Sequence, residues 1–258
     1  MNKVKPIVNW AGGKSRLLKH LMPLVPECEC YVEVFGGGAA LLLAKERGKL
    51  EVWNDVHGDL VNLFRQAKCH PEELCRELEF LTGSRAEFAT FLEQPGVTEI
   101  QRAARWFFLN KCSFGGMCTH FGTGKKGGGA SHASKGNWLA AIRSFSQRFD
   151  AVCVESLDWK RCVDLYDGPE TFFFFDPPYV NSGKTTYDAW GKDEMLELRE
   201  RIDGLKGGFL LTTCDSPQSR AVFSGLKIRA ITRANGIEKR LRRSKTGLKY
   251  KELIITKQ

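Results

Sequence analysis

A run of four consecutive phenylalanines, at residues 172–175, limits the folds open to this chain more than any other feature. A strand that is apolar on both faces must be covered on both sides, which is the situation of a central strand in a parallel sheet flanked by helices. In the first 67 residues, strand patterns at 31–34 and 50–53 alternate with helical patterns at 15–24, 39–47 and 60–67. Further strand patterns lie at 151–154, 208–213, 226–231 and 252–256. This order predicts an α/β fold with a mainly parallel sheet.

The chain changes character between residues 68 and 150. Helical patterns over 72–81, 85–92, 99–111 and 137–149 follow one another without a convincing strand between them. The loop at 115–129 contains seven glycines together with Lys125 and Lys126. We therefore predict a discontinuous α/β domain, residues 1–67 and 151–258, interrupted by a helical insertion at residues 68–150.

Charge is distributed unevenly along the 258 residues. Lys and Arg number 39 against 30 Asp and Glu, a net charge of +9. Nine basic and two acidic residues fall between positions 233 and 257, among them Arg242 and Arg243. Such clustering favours a polyanionic partner, most simply nucleic acid, although a solvated basic segment has the same composition.

Two classes of protein are disfavoured by what the sequence lacks. No apolar run approaches the ~20 residues of a membrane span, and the first ten residues do not resemble a signal peptide. We expect a cytoplasmic protein without a membrane contact. The spacing of Cys112, Cys118, His120 and His132 matches no common zinc pattern, so we predict no metal site.

A glycine-rich turn follows the strand pattern at 31–34. Glycine allows close approach of a ligand to the backbone, and Gly36 and Gly38 begin a dinucleotide-binding fingerprint whose third glycine would fall at Leu41. Asp55 lies nineteen positions after Gly36, a spacing that suits a carboxylate binding ribose hydroxyls. The turn predicts a nucleoside-bearing cofactor, with NAD and S-adenosylmethionine both compatible. A tight turn followed by a helix-capping Asp is the simpler alternative.

The tetrapeptide Asp176-Pro177-Pro178-Tyr179 directly follows the phenylalanine run. Open α/β sheets bind ligands at the carboxyl ends of their strands, which is where these four residues are predicted to lie. The Asp176 carboxylate and the Pro177 carbonyl can accept hydrogen bonds from an exocyclic amine, and Tyr179 can stack on a base. Asp-Pro is also a common turn starter, so an ordinary loop is the alternative.

In their order along nearly the whole chain, these motifs resemble the Dam-type DNA adenine N6-methyltransferases, the D12 class. The matching segments are 9–14, 32–38, 54–55, 176–179 and 250–255. The resemblance implies a Rossmann-like, S-adenosylmethionine-dependent methyltransferase sheet with an inserted helical DNA-recognition domain. It also implies transfer of a methyl group to N6 of an adenine flipped out of double-stranded DNA, without a metal ion.

The resemblance and the charge pattern together assign candidate site residues. Catalysis is expected from Asp176, Pro177, Pro178 and Tyr179. Cofactor contacts are expected from Trp10, Lys14, Phe35, Gly36, Gly38, Asp55, Asp158 and Asp176. DNA contacts are expected from Lys111, Lys125, Lys126, Tyr187, Arg242 and Arg243.

Departures from the family pattern concern recognition rather than chemistry. Lys111 stands where Arg is usual, and Gly115 and His57 stand where Asn is usual. Since Arg and Asn make bidentate contacts to bases, we predict a target other than GATC, or a short and relaxed one. The rival functions are amino-methylation of cytosine N4, RNA or protein glutamine, an inactive DNA-binding relative, and a NAD-dependent oxidoreductase. The motifs leave open whether a restriction endonuclease acts with the chain.

Overall fold

The computed structural model describes residues 4–122, 135–178, 190–234 and 249–257. Within these ranges the strands are β1 (Cys30–Glu33), β2 (Leu50–Asn54), β3 (Val152–Glu155), β4 (Thr171–Phe175), β5 (Gly208–Cys214), β6 (Lys227–Ala234) and β7 (Lys249–Thr256). They form one sheet in the order β3-β2-β1-β4-β5-β7-β6. β1 pairs in parallel with β2 and β4, and β4 with β5, whereas β7 runs antiparallel to β5 and β6. The prediction of an α/β fold with a mainly parallel sheet is confirmed.

The phenylalanine run occupies the position predicted for it. β4 lies between β1 and β5, and all five of its residues are buried. β1 has β2 on one side and β4 on the other, so the strand order changes direction between β1 and β4. In open α/β sheets a crevice for ligands forms at this switch point, beyond the carboxyl ends of the strands.

Some helices of the described ranges match the predictions from the sequence, and others differ in their bounds. They are α1 (Leu18–Leu21), α2 (Ala40–Ala44), α3 (Gly58–Cys69), α4 (Pro71–Glu79), α5 (Arg85–Glu93), α6 (Glu99–Cys112), α7 (Lys135–Phe149), α8 (Trp159–Tyr166), α9 (Lys192–Asp203) and α10 (Pro217–Val222). The prediction of one continuous helix at 15–24 was wrong, because 3-10 turns flank a single turn of α-helix there. The helix predicted at 39–47 ends at Ala44, since the buried apolar run stops at Leu43 and Lys45 is extended. None of these helices is long and apolar enough to cross a membrane.

The chain divides into two compact units. The first comprises Met1–Lys19, Gly37–Glu46 and Asp55–Ser156, and the second comprises His20–Gly36, Arg47–Asn54 and Leu157–Gln258. The predicted insertion at 68–150, with α4 to α7, lies wholly in the first unit. The division into a catalytic domain, 1–67 and 151–258, and a recognition insertion is one of function and stays a prediction.

The first unit has an aromatic core of its own around α3, α6 and α7. The ring of Phe64 on α3 lies 4.7 Å from Phe145 and 5.5 Å from Phe149 on α7. Phe107 on α6 meets Trp138 edge to face at 5.6 Å. Such edge-to-face pairs stabilise a core beyond the area that they bury. α6 also packs against α3, α4 and α5, so its position is fixed by several neighbours.

Candidate active site

In the second unit, the chain makes a tight turn immediately after β1. The Gly36 N–H donates to the carbonyl of Asn54 at 2.7 Å. A Cβ atom on Gly36 would lie 2.1 Å from Nε1 of Trp53, closer than atoms can approach. Only glycine therefore fits at this position, and the neighbouring Phe35 stays half-buried at the carboxyl end of the strand.

Asn54 holds the carboxyl end of β2 to its neighbours. Its side-chain nitrogen donates to the carbonyls of Val34, at 2.9 Å, and Leu157, at 3.1 Å. Its side-chain oxygen accepts the Leu157 N–H at 2.8 Å. The amide thus links the end of β1 to the segment that leads into α8. The motif Asn54-Asp55 indicated an acidic ligand, but not this supporting role for Asn54.

In the first unit, the Asp55 carboxylate is buried and oriented by the backbone. Oδ2 accepts the Gly37 N–H at 2.8 Å, and Oδ1 accepts the His57 N–H at 2.9 Å. Hydrogen bonds to a carboxylate are stronger than those between neutral groups, so the side chain has one strongly favoured orientation. This is the arrangement that a carboxylate binding two ribose hydroxyls requires.

Trp10, also in the first unit, packs directly on Gly37. A Cβ atom on Gly37, whose φ is +46°, would lie 2.5 Å from Nε1 of Trp10. The indole also meets the His57 ring edge to face at 5.6 Å and lies 6.4 Å from the Trp106 ring. Trp10 remains half-buried, so part of an aromatic face stays open beside the backbone of the turn.

Lys14 is buried, with only 3% of its surface exposed. Its Nζ donates to the carbonyl of Gly12 at 2.9 Å. A lysine taken alone is most often an exposed charge, and a buried one needs polar partners. Lys14 is therefore a buried basic side chain in the first unit, and such a side chain is suited to binding an anionic group.

In the second unit, Asp176 leaves the sheet at the carboxyl end of β4. The Thr212 hydroxyl donates to its Oδ1 at 2.8 Å. The register explains this contact: Phe175 pairs with Leu211, so the next residue on β4 lies beside the next residue on β5. Thr212 is fully buried and was missed by the sequence analysis, although a polar residue on a buried strand was the available signal. Pro177, which follows Asp176, is buried as well.

Two tryptophans that the sequence analysis missed pack with the predicted site residue Phe35 in the same unit. The ring of Phe35 is 6.2 Å from Trp159 and 5.2 Å from Trp190, and the two tryptophans are 5.9 Å apart. Trp159 is buried, whereas Phe35 and Trp190 are half-buried. Since Phe35 follows β1, these rings supply flat apolar surface at the carboxyl side of the sheet.

Asp158 has a structural role. It is the N-cap of α8, and its Oδ1 accepts the Lys160 N–H at 2.9 Å. A capping Asp satisfies one of the free N–H groups of the first helical turn. Its predicted contact with the cofactor stays a prediction.

Lys111 lies in the last turn of α6, half-buried. Its Nζ is 5.4 Å from the centroid of the Phe107 ring. Burial lowers the pKa of its ammonium group from the ordinary 10.5 to about 8. Lys111, which is predicted to contact DNA, is therefore a partly desolvated side chain rather than a fully exposed one.

The shifted pKa of Lys111 predicts a pH-dependent stability. Below pH 8 the ammonium is charged in both the folded and unfolded states, so the cost of burying the charge is present in full. Between pH 8 and 10.5 the Lys111 ammonium loses its proton first in the folded protein, so the contribution of Lys111 to stability rises with pH across this window. Lys111→Met should remove this rise and stabilise the protein at pH 7 by about 1–3 kcal/mol. Urea unfolding from pH 7 to pH 10 measures both effects. Lys19→Met, at an exposed position, is the control; parallel curves for wild type and Lys111→Met would contradict the assignment.

Six of the predicted site residues, Lys125, Lys126, Tyr179, Tyr187, Arg242 and Arg243, lie outside the described residues. Their roles stay predictions from the sequence. Across the described parts of the chain there is no group of three or more His, Cys, Asp or Glu side chains that could hold a metal ion. His132 of the sequence pattern also falls outside those parts.

Comparison with known proteins places the motifs in a family. The family model of the D12 class N6 adenine-specific DNA methyltransferases matches residues 10–206. The Type II methyltransferase M1.LlaDCHI of Lactococcus lactis subsp. cremoris is 28% identical over 287 residues, spanning 99% of this chain and 96% of the relative. The Type II methyltransferase M.MjaIII of Methanocaldococcus jannaschii is 29% identical, spanning 71% and 72% of the two chains. The DNA adenine methylase of Haemophilus influenzae is 22% identical, spanning 98% and 93%.

The family match agrees with the order of the motifs on the sheet. It extends from Trp10, beside the glycine turn, past Asp176 at the end of β4 and through α9. It covers well over half of the chain, and the chain spans nearly all of two of these relatives. This protein belongs to the D12 class of N6 adenine-specific DNA methyltransferases.

Proposed function

We propose that the enzyme transfers the methyl group of S-adenosylmethionine to N6 of an adenine flipped out of double-stranded DNA. The observation that carries this proposal is the position of Asp176. Its carboxylate leaves the carboxyl end of the central strand β4 beside the switch point of the sheet, and the buried Thr212 hydroxyl orients it. A fixed acceptor at this edge suits an exocyclic amine, which offers two N–H donors.

The residues of the chain fit the proposed cofactor. The turn is made of glycines at which a Cβ would collide with Trp53 or Trp10, so no side chain intrudes there. Asp55 presents an oriented carboxylate for the ribose hydroxyls, and Trp10 offers an aromatic face to a cation or an adenine ring. Lys14 supplies a buried positive charge for the methionine carboxylate. We assign Phe35, Gly36, Gly38 and Asp158 to the cofactor as well, the last on the family resemblance alone.

When bound, S-adenosylmethionine supplies an electrophilic methyl group on its sulfonium. The chain's own part is to hold the adenine amine in line with that methyl group. Asp176 and the Pro177 carbonyl would accept the two amine hydrogens, which localises the nitrogen lone pair for attack on the methyl group. The proton that the methylated nitrogen then loses would leave along the hydrogen bond to the Asp176 carboxylate and pass to solvent. Acceptors fixed in advance stabilise the charge that develops on the amine at no cost of reorganisation. This scheme requires no metal ion and no covalent enzyme intermediate.

The direct test is the identity of the modified base. Purified enzyme is incubated with duplex DNA and methyl-labelled S-adenosylmethionine, and the DNA is then digested to nucleosides. We expect the label in N6-methyl-2′-deoxyadenosine; label in N4-methyl-2′-deoxycytidine would favour the cytosine rival, and no labelled nucleoside at all would favour an inactive relative. The enzyme is also expressed in a bacterial host, and the methylated adenines of the host DNA are mapped by sequencing. This tests the expectation of a target other than GATC.

The aromatic plane of Tyr179 is expected to hold the flipped adenine. Stacking on an aromatic side chain is worth about 1–3 kcal/mol per base, comparable to the few kcal/mol that flipping costs. Tyr179→Ala should therefore lose most activity, whereas Tyr179→Phe should retain much of it. The alanine variant should recover in part on DNA with a mismatched target adenine, where less flipping energy is needed. Steady-state rates on matched and mismatched duplexes measure this, and a Phe variant as inactive as Ala would show that the hydroxyl is the functional group.

Basic residues outside the described ranges are proposed to contact phosphates. Lys125, Lys126, Arg242 and Arg243 fall in the two basic stretches, and Tyr187 and Lys111 complete the DNA-binding set. Each phosphate contact removed should lower the slope of log K against log salt by about 0.9 for duplex DNA. We expect the double variant Arg242→Ala/Arg243→Ala to bind duplex DNA more weakly, with a slope reduced by about 1–2. Binding isotherms at four salt concentrations measure it; an unchanged slope would identify this stretch as merely solvated.

A further inference from the structure

Asn110, in the last turn of α6, is fully buried, and its side chain joins three segments of the first unit. Its Oδ1 accepts the Asn9 N–H at 2.8 Å. Its Nδ2 donates to the Asn9 carbonyl at 2.9 Å and to the Gly116 carbonyl at 3.0 Å. One amide thus satisfies both backbone groups of one residue and a carbonyl of another. Only an Asn or Gln side chain offers an acceptor and two donors together, and Gln is one methylene longer.

A second residue of α6 holds the same region. Trp106 lies one helical turn before Asn110, so the two side chains share a face of the helix. The Trp106 ring is 6.4 Å from the Trp10 ring and 5.4 Å from the His57 ring. α6 therefore fixes two consecutive residues, Asn9 and Trp10, at the start of the N-terminal segment (residues 9–14), which also carries Lys14.

On its other side Asn110 holds the recognition loop (residues 113–118). A Cβ atom on Gly116, whose φ is +79°, would lie 2.2 Å from the Asn9 carbonyl oxygen. The Ser113 hydroxyl accepts the Cys118 N–H at 2.9 Å and closes the loop. The loop backbone is thus in direct contact with Asn9. In the family resemblance, this loop belongs to the stretch that reads DNA.

We propose that Asn110 is a positioning residue that couples DNA binding at the recognition loop to cofactor binding at the N-terminal segment. The inference rests on the proposed function, which gives the segment and the loop their ligands. DNA that holds the loop in its observed position also holds the contacts of Gly116 and Asn110 with Asn9. This keeps Trp10 and Lys14 where the cofactor needs them. Coupling of this kind is reciprocal, so bound cofactor should tighten DNA binding by the same factor.

The test compares two ways of breaking the contact. Asn110→Asp keeps the acceptor for the Asn9 N–H but replaces the NH₂ donor with a carboxylate oxygen. That oxygen faces the carbonyls of Asn9 and Gly116 and repels them. Gly116→Ala leaves Asn110 in place and forces the loop away from Asn9. Gly115→Ala is its matched control, because Gly115 also has a positive φ, +64°, but a Cβ there meets nothing closer than 4.0 Å. Asn62→Ala is the second control: it removes a hydrogen bond from the Asn62 side-chain amide to the Glu99 carbonyl, elsewhere in the unit.

The measured quantity is the dissociation constant of S-adenosylhomocysteine, by calorimetry, without DNA and at saturating duplex that contains the mapped methylation site. We expect DNA to tighten binding at least about fivefold in the wild type. The ratio of the dissociation constant without DNA to that with DNA should fall to about one in Asn110→Asp and Gly116→Ala. Both controls should keep the wild-type ratio. The KM for S-adenosylmethionine should rise in Asn110→Asp by about tenfold, with a smaller change in kcat. Thermal unfolding confirms that each variant is folded.

Each outcome decides between the two proposals. A wild-type ratio of one, or a wild-type ratio kept in Gly116→Ala, would overturn the coupling role of Asn110. If Asn110→Asp fails to fold, Gly116→Ala alone decides, because it leaves the fully buried Asn110 unchanged and alters only a half-buried loop position. A wild-type protein that binds no S-adenosylhomocysteine, with or without DNA, would instead overturn the proposed cofactor.

Discussion

Replacing Asp176 with alanine is expected to lower kcat by at least about a hundredfold while leaving the fold intact. The side chain stands at the end of β4, half-buried, where it contributes little to the hydrophobic core. What it contributes is an acceptor oriented by Thr212 and placed where the adenine amine is proposed to lie. Single-turnover methylation of duplex DNA with labelled S-adenosylmethionine measures the loss, and thermal unfolding checks the fold.

Thr212→Val is the informative companion to Asp176→Ala. It keeps the shape of the buried side chain and removes the hydroxyl that donates to Asp176 Oδ1 at 2.8 Å. A lost hydrogen bond to a charged group is worth about 1.5–3 kcal/mol, so kcat should fall by about tenfold or more, yet by less than in Asp176→Ala. An Asp176→Ala enzyme as active as wild type would refute the proposed mechanism, and an unchanged Thr212→Val enzyme would refute the orienting role.

Asp55→Asn is expected to weaken cofactor binding by about a hundredfold. The carboxylate accepts one backbone N–H at each oxygen, from Gly37 and from His57. An amide retains one acceptor and turns an NH₂ group toward the other N–H, so the turn must distort. The ribose hydroxyls then lose a charged acceptor at the same time.

Titration of S-adenosylhomocysteine against wild type and Asp55→Asn measures this change. Asp59→Asn is the matched control, since Asp59 is an exposed acid in the first turn of α3, four residues away in the same unit. Equal affinities for wild type and Asp55→Asn would remove Asp55 from the cofactor site. A reduced affinity in both variants would indicate a general effect of charge.

The sequence predicted those parts of the fold that depend on local pattern. Four consecutive phenylalanines required a strand covered on both faces, and β4 is such a strand. The position of Asp176 followed from that strand alone, because a residue directly after a central parallel strand lies at the carboxyl edge of the sheet. The position of Asp55 beside the glycine turn was predictable from its spacing to Gly36, and in the structure its carboxylate accepts a hydrogen bond from the Gly37 N–H.

Residues whose roles depend on distant partners were not predictable in this way. Asn110 contacts Asn9 across 101 positions and Thr212 contacts Asp176 across 36, so no local window contains both partners. Lys14 is a different case: its Nζ donates to the Gly12 carbonyl only two residues away, but a lysine in a short glycine-containing segment gives no sign of burial in the sequence. α8 and α10, of eight and six residues, are too short to show a helical period clearly.

The antiparallel strand β7 has a consequence for the order in which the second unit is made. β7 pairs with β5 on one side and β6 on the other, yet the ribosome synthesises it after both. In the described sheet β6 pairs with β7 alone, so a chain without β7 leaves β6 without a strand partner and β5 with an open edge. Unpaired strand edges on a nascent chain are templates for aggregation. A stop codon just before β7 should therefore yield released chains that bind chaperones strongly and accumulate as insoluble protein.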